Sequence, residues 1–421
     1  MKYVKKEFGS YNLHMIHTDK FKTITVEVIF QNKIEKNKIT ITNFLSSMLS
    51  YSTKKFPTKN SLMLYMQDLY SVKLFPSCYR IGKCYNADFN MCFLNEKYTE
   101  KGMYEKTLEL LKNIIFDPNV LENSFDETSF NIVKNDEKSQ IERIKEDLRK
   151  YSIIQMLQLL NDKEVFSYSE YGYIEDLEQI TPSNLYQFYK EFINNSIIDI
   201  FIVGNIDFKE TENLIRDKFK FRTFKNSKIN PILNDIEIRK KTQIIFEKEK
   251  TLQSKLSIGC IINNMTKFER EYVLNIYNLI LGATADSKFF KNIREKYSIC
   301  YYISSIGNKL DNLLIITSGI NKENFDKTLS LIKKEMNDMQ NGIFTDEEIE
   351  NAKKYYLSLL EEALDNPNQI ISSYYAMNLW QVDSIEKRKS EIKKVTRNDI
   401  SNLSKKIFID TVFLLGGDNS D

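Results

Sequence analysis

The chain offers few residues that could do chemistry on their own. Its only histidines, His14 and His17, are spaced like half a metal site, but no cluster of Cys, His or carboxylate residues lies nearby to complete one. Five cysteines, Cys78, Cys84, Cys92, Cys260 and Cys300, include no Cys-x-x-Cys pair. Most sit among Tyr, Phe, Met and Ile, surroundings that suit structural free thiols in a reducing compartment. The third candidate is the stretch 43–53, Asn-Phe-Leu-Ser-Ser-Met-Leu-Ser-Tyr-Ser-Thr. Ile41, Phe44, Leu45, Met48 and Leu49 form the stripe of an amphipathic helix, and Asn43, Ser46 and Ser47 fall on its other face. Histidines and a carboxylate at those three positions could bind a metal and activate water, whereas an amide and two hydroxyls are poor ligands and supply no general base. The chain contains no phosphate loop, Ser/His/Asp set or dinucleotide fingerprint.

The elements around these residues occur twice. The strand-like run Thr23–Phe30 is matched by Lys255–Ile262, and each is followed by a helix. In the second helix the stripe is Val273, Ile276, Tyr277, Ile280 and Leu281. Alternating strands follow at 74–94 and 299–320, then helices of like wording that begin at Tyr104 and Phe325. Longer charged helical stretches come next, near 121–160 and 345–364. Each half closes with a capped helix and a strand that ends at Gly. Thr181 caps the first helix, with Pro182 at its first position, and Thr396 caps the second. Residues 222–245 are polar and basic and contain Pro231, a linker composition that puts the boundary near 230. The expected fold is α+β: two homologous domains, 1–230 and 231–421, each an antiparallel sheet with helices on one side.

With 421 residues, 42% of them hydrophobic and 28% charged, the chain can bury two ordinary cores. A formal net charge of +2 gives no general attraction to nucleic acid or anionic membrane. The N-terminal residues lack the apolar core of a signal peptide, and no run is long enough to span a membrane, so the expected location is the cytoplasm.

The most specific motif lies in the second half. It reads Leu-Gly-Ala at 281–283, then Ser287-Lys-Phe-Phe, Arg294-Glu-Lys and, seven residues after the arginine, Tyr301. With the duplicated halves, it resembles the pitrilysin, insulinase and processing-peptidase family of zinc peptidases. In that family a first-half helix carries His-x-x-Glu-His, and a further Glu lies on a later helix. Here Asn43, Ser46 and Ser47 occupy the motif positions, and the acidic residues near 122–137 do not make up the loss. The resemblance implies a clam-shell chamber and a chain that binds no metal or other cofactor and cleaves nothing alone. It implies substrate-binding roles for Arg294 and Tyr301, through guanidinium donors to a peptide carbonyl and a phenol donor to a developing oxyanion. The implied partner is a zinc-bearing homologous peptidase subunit, and the implied substrate an extended peptide or protein segment. A catalytically inert peptide-binding or scaffold protein in peptide or protein maturation is the competing expectation. The family's non-catalytic mitochondrial subunit has a long glycine-rich loop where this chain reads Gly282-Ala-Thr-Ala-Asp, so capture of substrate by such a loop is not implied.

Overall fold

In a computed structural model, residues 1–222 and 228–416 are described, so positions 223–227 of the linker lie outside the described residues. The first half contains strands β1 (Lys2–Glu7), β2 (Asn12–His17), β3 (Thr23–Lys33), β4 (Lys73–Ile81) and β5 (Cys84–Leu94), a short hairpin of β6 (Val120–Leu121) and β7 (Ser124–Phe125), and β8 (Ile197–Gly204). Its helices are α1 (Lys36–Tyr51), α2 (Lys59–Asp68), α3 (Met103–Phe116), α4 (Glu127–Glu142), α5 (Leu148–Leu160), α6 (Ile174–Glu178), α7 (Pro182–Asn195) and α8 (Phe208–Lys218). The second half contains β9 (Gln243–Glu247), β10 (Ser254–Ile262), α9 (Leu274–Asn278), β11 (Cys300–Asn308), β12 (Leu313–Ile320), α10 (Phe325–Gln340), α11 (Asp346–Glu362), α12 (Pro367–Leu379), α13 (Ile385–Ile392), α14 (Arg397–Ser404) and β13 (Ile407–Leu415).

The two large sheets repeat one plan. The first has the order β1-β2-β8-β3-β5-β4 and the second β9-β13-β10-β12-β11, read from the matching end. All neighbours are antiparallel except β2 with β8 and β13 with β9, which occupy the same place in each sheet. This is the expected α+β fold with antiparallel-rich sheets. Both closing helices begin as their sequences require. The Thr181 hydroxyl accepts from Asn184 N and Pro182 opens α7, while the Thr396 hydroxyl accepts from Asp399 N at the start of α14.

The chain forms two compact units. Unit 1 comprises Met1–Glu142, Ser169–Asn230 and Leu364–Leu379; unit 2 comprises Arg143–Tyr168, Pro231–Ala363 and Trp380–Asp421. The long charged stretches are therefore divided. α4 stays in unit 1 while α5 joins unit 2, and α11 stays in unit 2 while α12 joins unit 1.

Strand alternation shows why each sheet needs such a helix. In β3, Ile24, Val26, Val28 and Phe30 face the main core beneath α1, α3 and α7, where Phe44, Leu108, Leu111 and Phe192 are buried. Ile29 of β3 and Phe201 and Val203 of β8 point the other way and are covered by Ile370, Ile371 and Tyr375 of α12. In unit 2, Leu256, Ile258, Cys260 and Ile262 of β10 face one core, while Ile261 and Phe413 pack with Met156 and Leu160 of α5 on the opposite face. Helices cover one side of each sheet, as expected, and a single further helix crosses the other.

The helical region after β10 departs from regular α-helix. π-helical turns at Glu269–Val273 and Leu279–Ala283 flank α9, and a third spans Phe290–Glu295. The stripe residues Val273, Ile276, Tyr277, Ile280 and Leu281 are nonetheless all buried.

Candidate functional site

Neither histidine is placed to serve as a ligand. His14 is fully buried in β2, stacked on Phe201 with ring centroids 4.1 Å apart, and its Nε2 donates to Asp199 Oδ1 at 2.9 Å. Its Nδ1 lies 2.8 Å from the Tyr3 hydroxyl, and His17 Nδ1 lies 2.8 Å from the Ile206 carbonyl. The five cysteines are free, and burial pushes the Cys84 thiol up to about 12 and Cys78 and Cys260 higher still.

α1 positions Asn43, Ser46 and Ser47 as the helical spacing requires, with Phe44, Leu45, Met48 and Leu49 fully buried on its inner side. The polar face opens into a pocket of about 220 Å³, lined also by Cys78, Glu137 and Glu170. Asn43 is already occupied: its Nδ2 donates to the Glu170 carbonyl at 2.9 Å, and its Oδ1 accepts from the Tyr85 hydroxyl at 2.6 Å. Ser46 is buried, and Ser47 Oγ donates to Glu137 Oε1 at 2.5 Å.

Glu137, on α4 and ninety positions from Ser47, is the acidic residue of the 122–137 stretch that reaches this pocket. Burial pushes its carboxyl up, while the Ser47 hydrogen bond opposes that shift. Glu137, a Glu170 paired with Arg80, two hydroxyls and a committed amide do not fit zinc, which needs several nitrogen, sulfur or carboxylate ligands. Among the described residues, no group of three or more His, Cys, Asp and Glu could hold a metal ion.

The pocket does retain features that suit a peptide. It adjoins an apolar cavity of about 390 Å³ and shares with it Ser47, Pro76, Glu137 and Gln140; Leu62, Met66, Leu74 and Val133 supply the apolar lining. Both cavities run beside β4, the edge strand of its sheet, and Phe75 of β4 is 54% exposed. An open edge beside side-chain pockets can take an extended peptide as an added strand, the main chain giving affinity and the pockets selecting side chains.

In unit 2, Arg294 lies in the third π-helical turn, exposed, with its guanidinium 4.7 Å from the centre of the Phe290 ring. Tyr301 falls where the β11–β12 register shifts between Cys300 and Tyr302. Such an irregularity turns a side chain out of the ladder. Tyr301 is 59% exposed, and its hydroxyl makes one long hydrogen bond, 3.3 Å to Asn321 Oδ1.

A profile of the family described as "Peptidase M16 inactive domain" matches residues 179–356. The chain is 28% identical over 418 residues, 98% of its length and 97% of the relative's, to a Bacillus subtilis protein named "Probable inactive metalloprotease YmfF". A crystal structure of a conserved protein from Enterococcus faecalis V583 superposes with a TM-score of 0.92 at 24% identity, covering 100% of both chains. The M16 inactive domain from Pseudomonas fluorescens superposes at 0.78 with 15% identity, covering 99% of this chain and 98% of that one.

Proposed function

We propose that this chain, whose residues 179–356 match the M16 inactive-domain profile, is an M16 member without the metal ligands and the non-catalytic subunit of a heterodimeric zinc metallopeptidase. The observation that carries the reading is the contrast within unit 1. The metal positions hold Asn43, Ser46 and Ser47, yet the pocket they line still opens along edge strand β4 into an apolar cavity. The zinc then resides in a homologous partner, and an extended peptide or protein segment is the substrate. Arg294 and Tyr301 are the residues this chain contributes to the bound backbone: an exposed guanidinium with fixed donors, and a phenol with only a weak internal bond.

The test is kinetic. With a zinc-bearing M16 relative, the wild-type chain should support peptide cleavage. Arg294→Ala or Tyr301→Phe should lower kcat/KM of the complex by about tenfold or more, the scale of losing one oxyanion or carbonyl donor. Unchanged rates in both variants would remove these residues from the mechanism.

A second reading is favoured by one observation: both cavities and the β4 edge lie entirely within unit 1. The chain could then bind peptides unaided, as an inert peptide-binding or scaffold protein in peptide or protein maturation. Peptide binding by the isolated chain, with no effect on any zinc-bearing relative, would select this reading.

A further inference from the structure

The two sheets differ at one end. In the first, β2 is flanked by β1, which pairs with it antiparallel from Lys2↔His17 to Glu7↔Asn12. In the second, β9 holds the place of β2, parallel to its neighbour, and is itself the outermost strand. The segment that could have supplied an extra strand is used elsewhere. Residues 231–239 cross the sheet's other face, where Leu233 and Ile236 are buried with Phe413 and Leu415. There Leu233 N donates to Leu310 O at 2.8 Å, and Arg239 pairs with Asp410.

The exposed edge is short but carries an apolar pair that is open to pairing. β9 reads Gln-Ile-Ile-Phe-Glu and contains no proline; its one charge, Glu247, accepts from the Tyr151 hydroxyl of α5 at 2.9 Å on the packed face. Ile244 is 44% and Phe246 59% exposed, side by side on one face, and the Phe246 ring packs at 5.1 Å on Phe325. Strand geometry continues past Glu247, because Gly416 N donates to Glu247 O at 3.0 Å and Glu249 N to Gly416 O at 3.3 Å.

We propose that β9 pairs antiparallel with β9 of a second copy of this chain, joining two sheets across a two-fold axis at Ile245. The strand is complementary to itself in this register. Full overlap sets Ile244 opposite Phe246 of the other copy, an aromatic and β-branched pair, twice over. On the opposite face it sets Lys241 against Glu249 and Gln243 against Glu247. Both members of the Lys241–Glu249 pair are exposed in the single chain and so are free to meet across the axis. Shifting the register by one residue on either side destroys this match and shortens the ladder. The contact is small beside the roughly 1,600 Å² of a standard interface, so the dissociation constant should be about 1–100 μM. This inference does not depend on the proposed peptidase role.

The test is sedimentation equilibrium of the purified full-length chain over about 1–200 μM, with circular dichroism to confirm folding of each variant. The wild type should dimerise, and Phe246→Lys should abolish dimers, because it sets a charge against Ile244 on an edge where the native side chain is already exposed. Lys241→Glu and Glu249→Lys should each weaken association by about tenfold, and the double variant should restore it, since the opposite charges meet again. A wild type that stays monomeric throughout would overturn the proposal. So would dimers indifferent to Phe246→Lys, or dimers that it dissolves but that do not respond to the charge reversals, since the register is part of the claim.

Discussion

At the scale of single residues, the contact between Ser47 and Glu137 is the most informative. A hydroxyl occupies the position where the family carries an imidazole, and it satisfies a carboxylate that burial would otherwise leave costly. Asn43, Ser47 and Glu137 thus have defined neighbours, while the buried Ser46 hydroxyl has no hydrogen-bond partner among the described residues. The pocket also retains one of the groups a zinc site would need. Converting Asn43→His, Ser46→Glu and Ser47→His together should create a site with Glu137 as the remaining ligand and bind about one zinc per chain, measured by elemental analysis after dialysis. Less than about one tenth of an equivalent would show that α1 and α4 do not hold the ligand geometry inferred for them. Sequence alone marks Asn43, Ser46 and Ser47 by helical spacing, but it cannot select Glu137 among the acidic residues of 122–137. That choice depends on how α4 packs against α1.

At the scale of elements, the fold depends on α5 and α12, each of which covers the second face of a sheet. In unit 1 this face is polar as well as apolar. Gln31 Nε2 donates to the Tyr375 hydroxyl at 2.6 Å, Asn90 Nδ2 donates to Glu27 Oε2 at 2.8 Å and to Asn368 Oδ1 at 3.1 Å, and the Ser77 hydroxyl bonds to Asp88. Burial, reinforced by the neighbouring Asp88, pushes the Glu27 carboxyl up to about 8, and burial raises Asp88 as well. The sign of the consequence follows. The unfolded chain releases the Glu27 proton near pH ~4.3, while the folded chain keeps it to about 8, so across that window the folded state holds more protons. Stability should fall as pH rises from about 4.5 to 8 and then level off. Glu27→Gln should flatten this slope and stabilise the protein at pH ~8 by an amount on the order of 2 kcal/mol, read from urea unfolding at several pH values. An unchanged slope would show that Glu27 is not the group responsible.

These same elements show what the sequence could reveal. The strands of 23–30, 197–203 and 255–262 and the caps at Thr181 and Thr396 are local features, and local chemistry specifies them. The alternation of Glu27, Gln31, Asp88 and Asn90 with apolar neighbours is that of a strand with one face in water. Only the return of α12, 278 positions from Asn90 to Asn368 and 344 from Gln31 to Tyr375, puts those residues inside. Apolar residues in α5 and α12 follow almost no helical periodicity, so the sequence does not show which faces of these helices are buried or which sheet receives them. The π-helical turns around α9 preserve the apolar stripe that periodicity detects, so they leave no separate trace in it.

At the scale of the whole molecule, duplication organises the rest. One strand order appears twice, with the single parallel pairing in the same place, and the repeats differ at the edge where only the first sheet has an added strand, β1. The first carries the altered metal helix beside an open edge strand. The second carries Arg294 on a π-helical turn and Tyr301 at a ladder irregularity. Among the described residues, no helix is long and apolar enough to cross a membrane. The central claim is that this chain contributes binding groups while another supplies the metal. The most direct measurement is zinc content and peptide cleavage for the purified chain alone, for a zinc-bearing M16 relative alone, and for their mixture. The chain alone should hold no stoichiometric zinc and cleave nothing, and the mixture should cleave at least about tenfold faster than the relative alone. Stoichiometric zinc with cleavage by the isolated chain, or a mixture no faster than the relative, would contradict it.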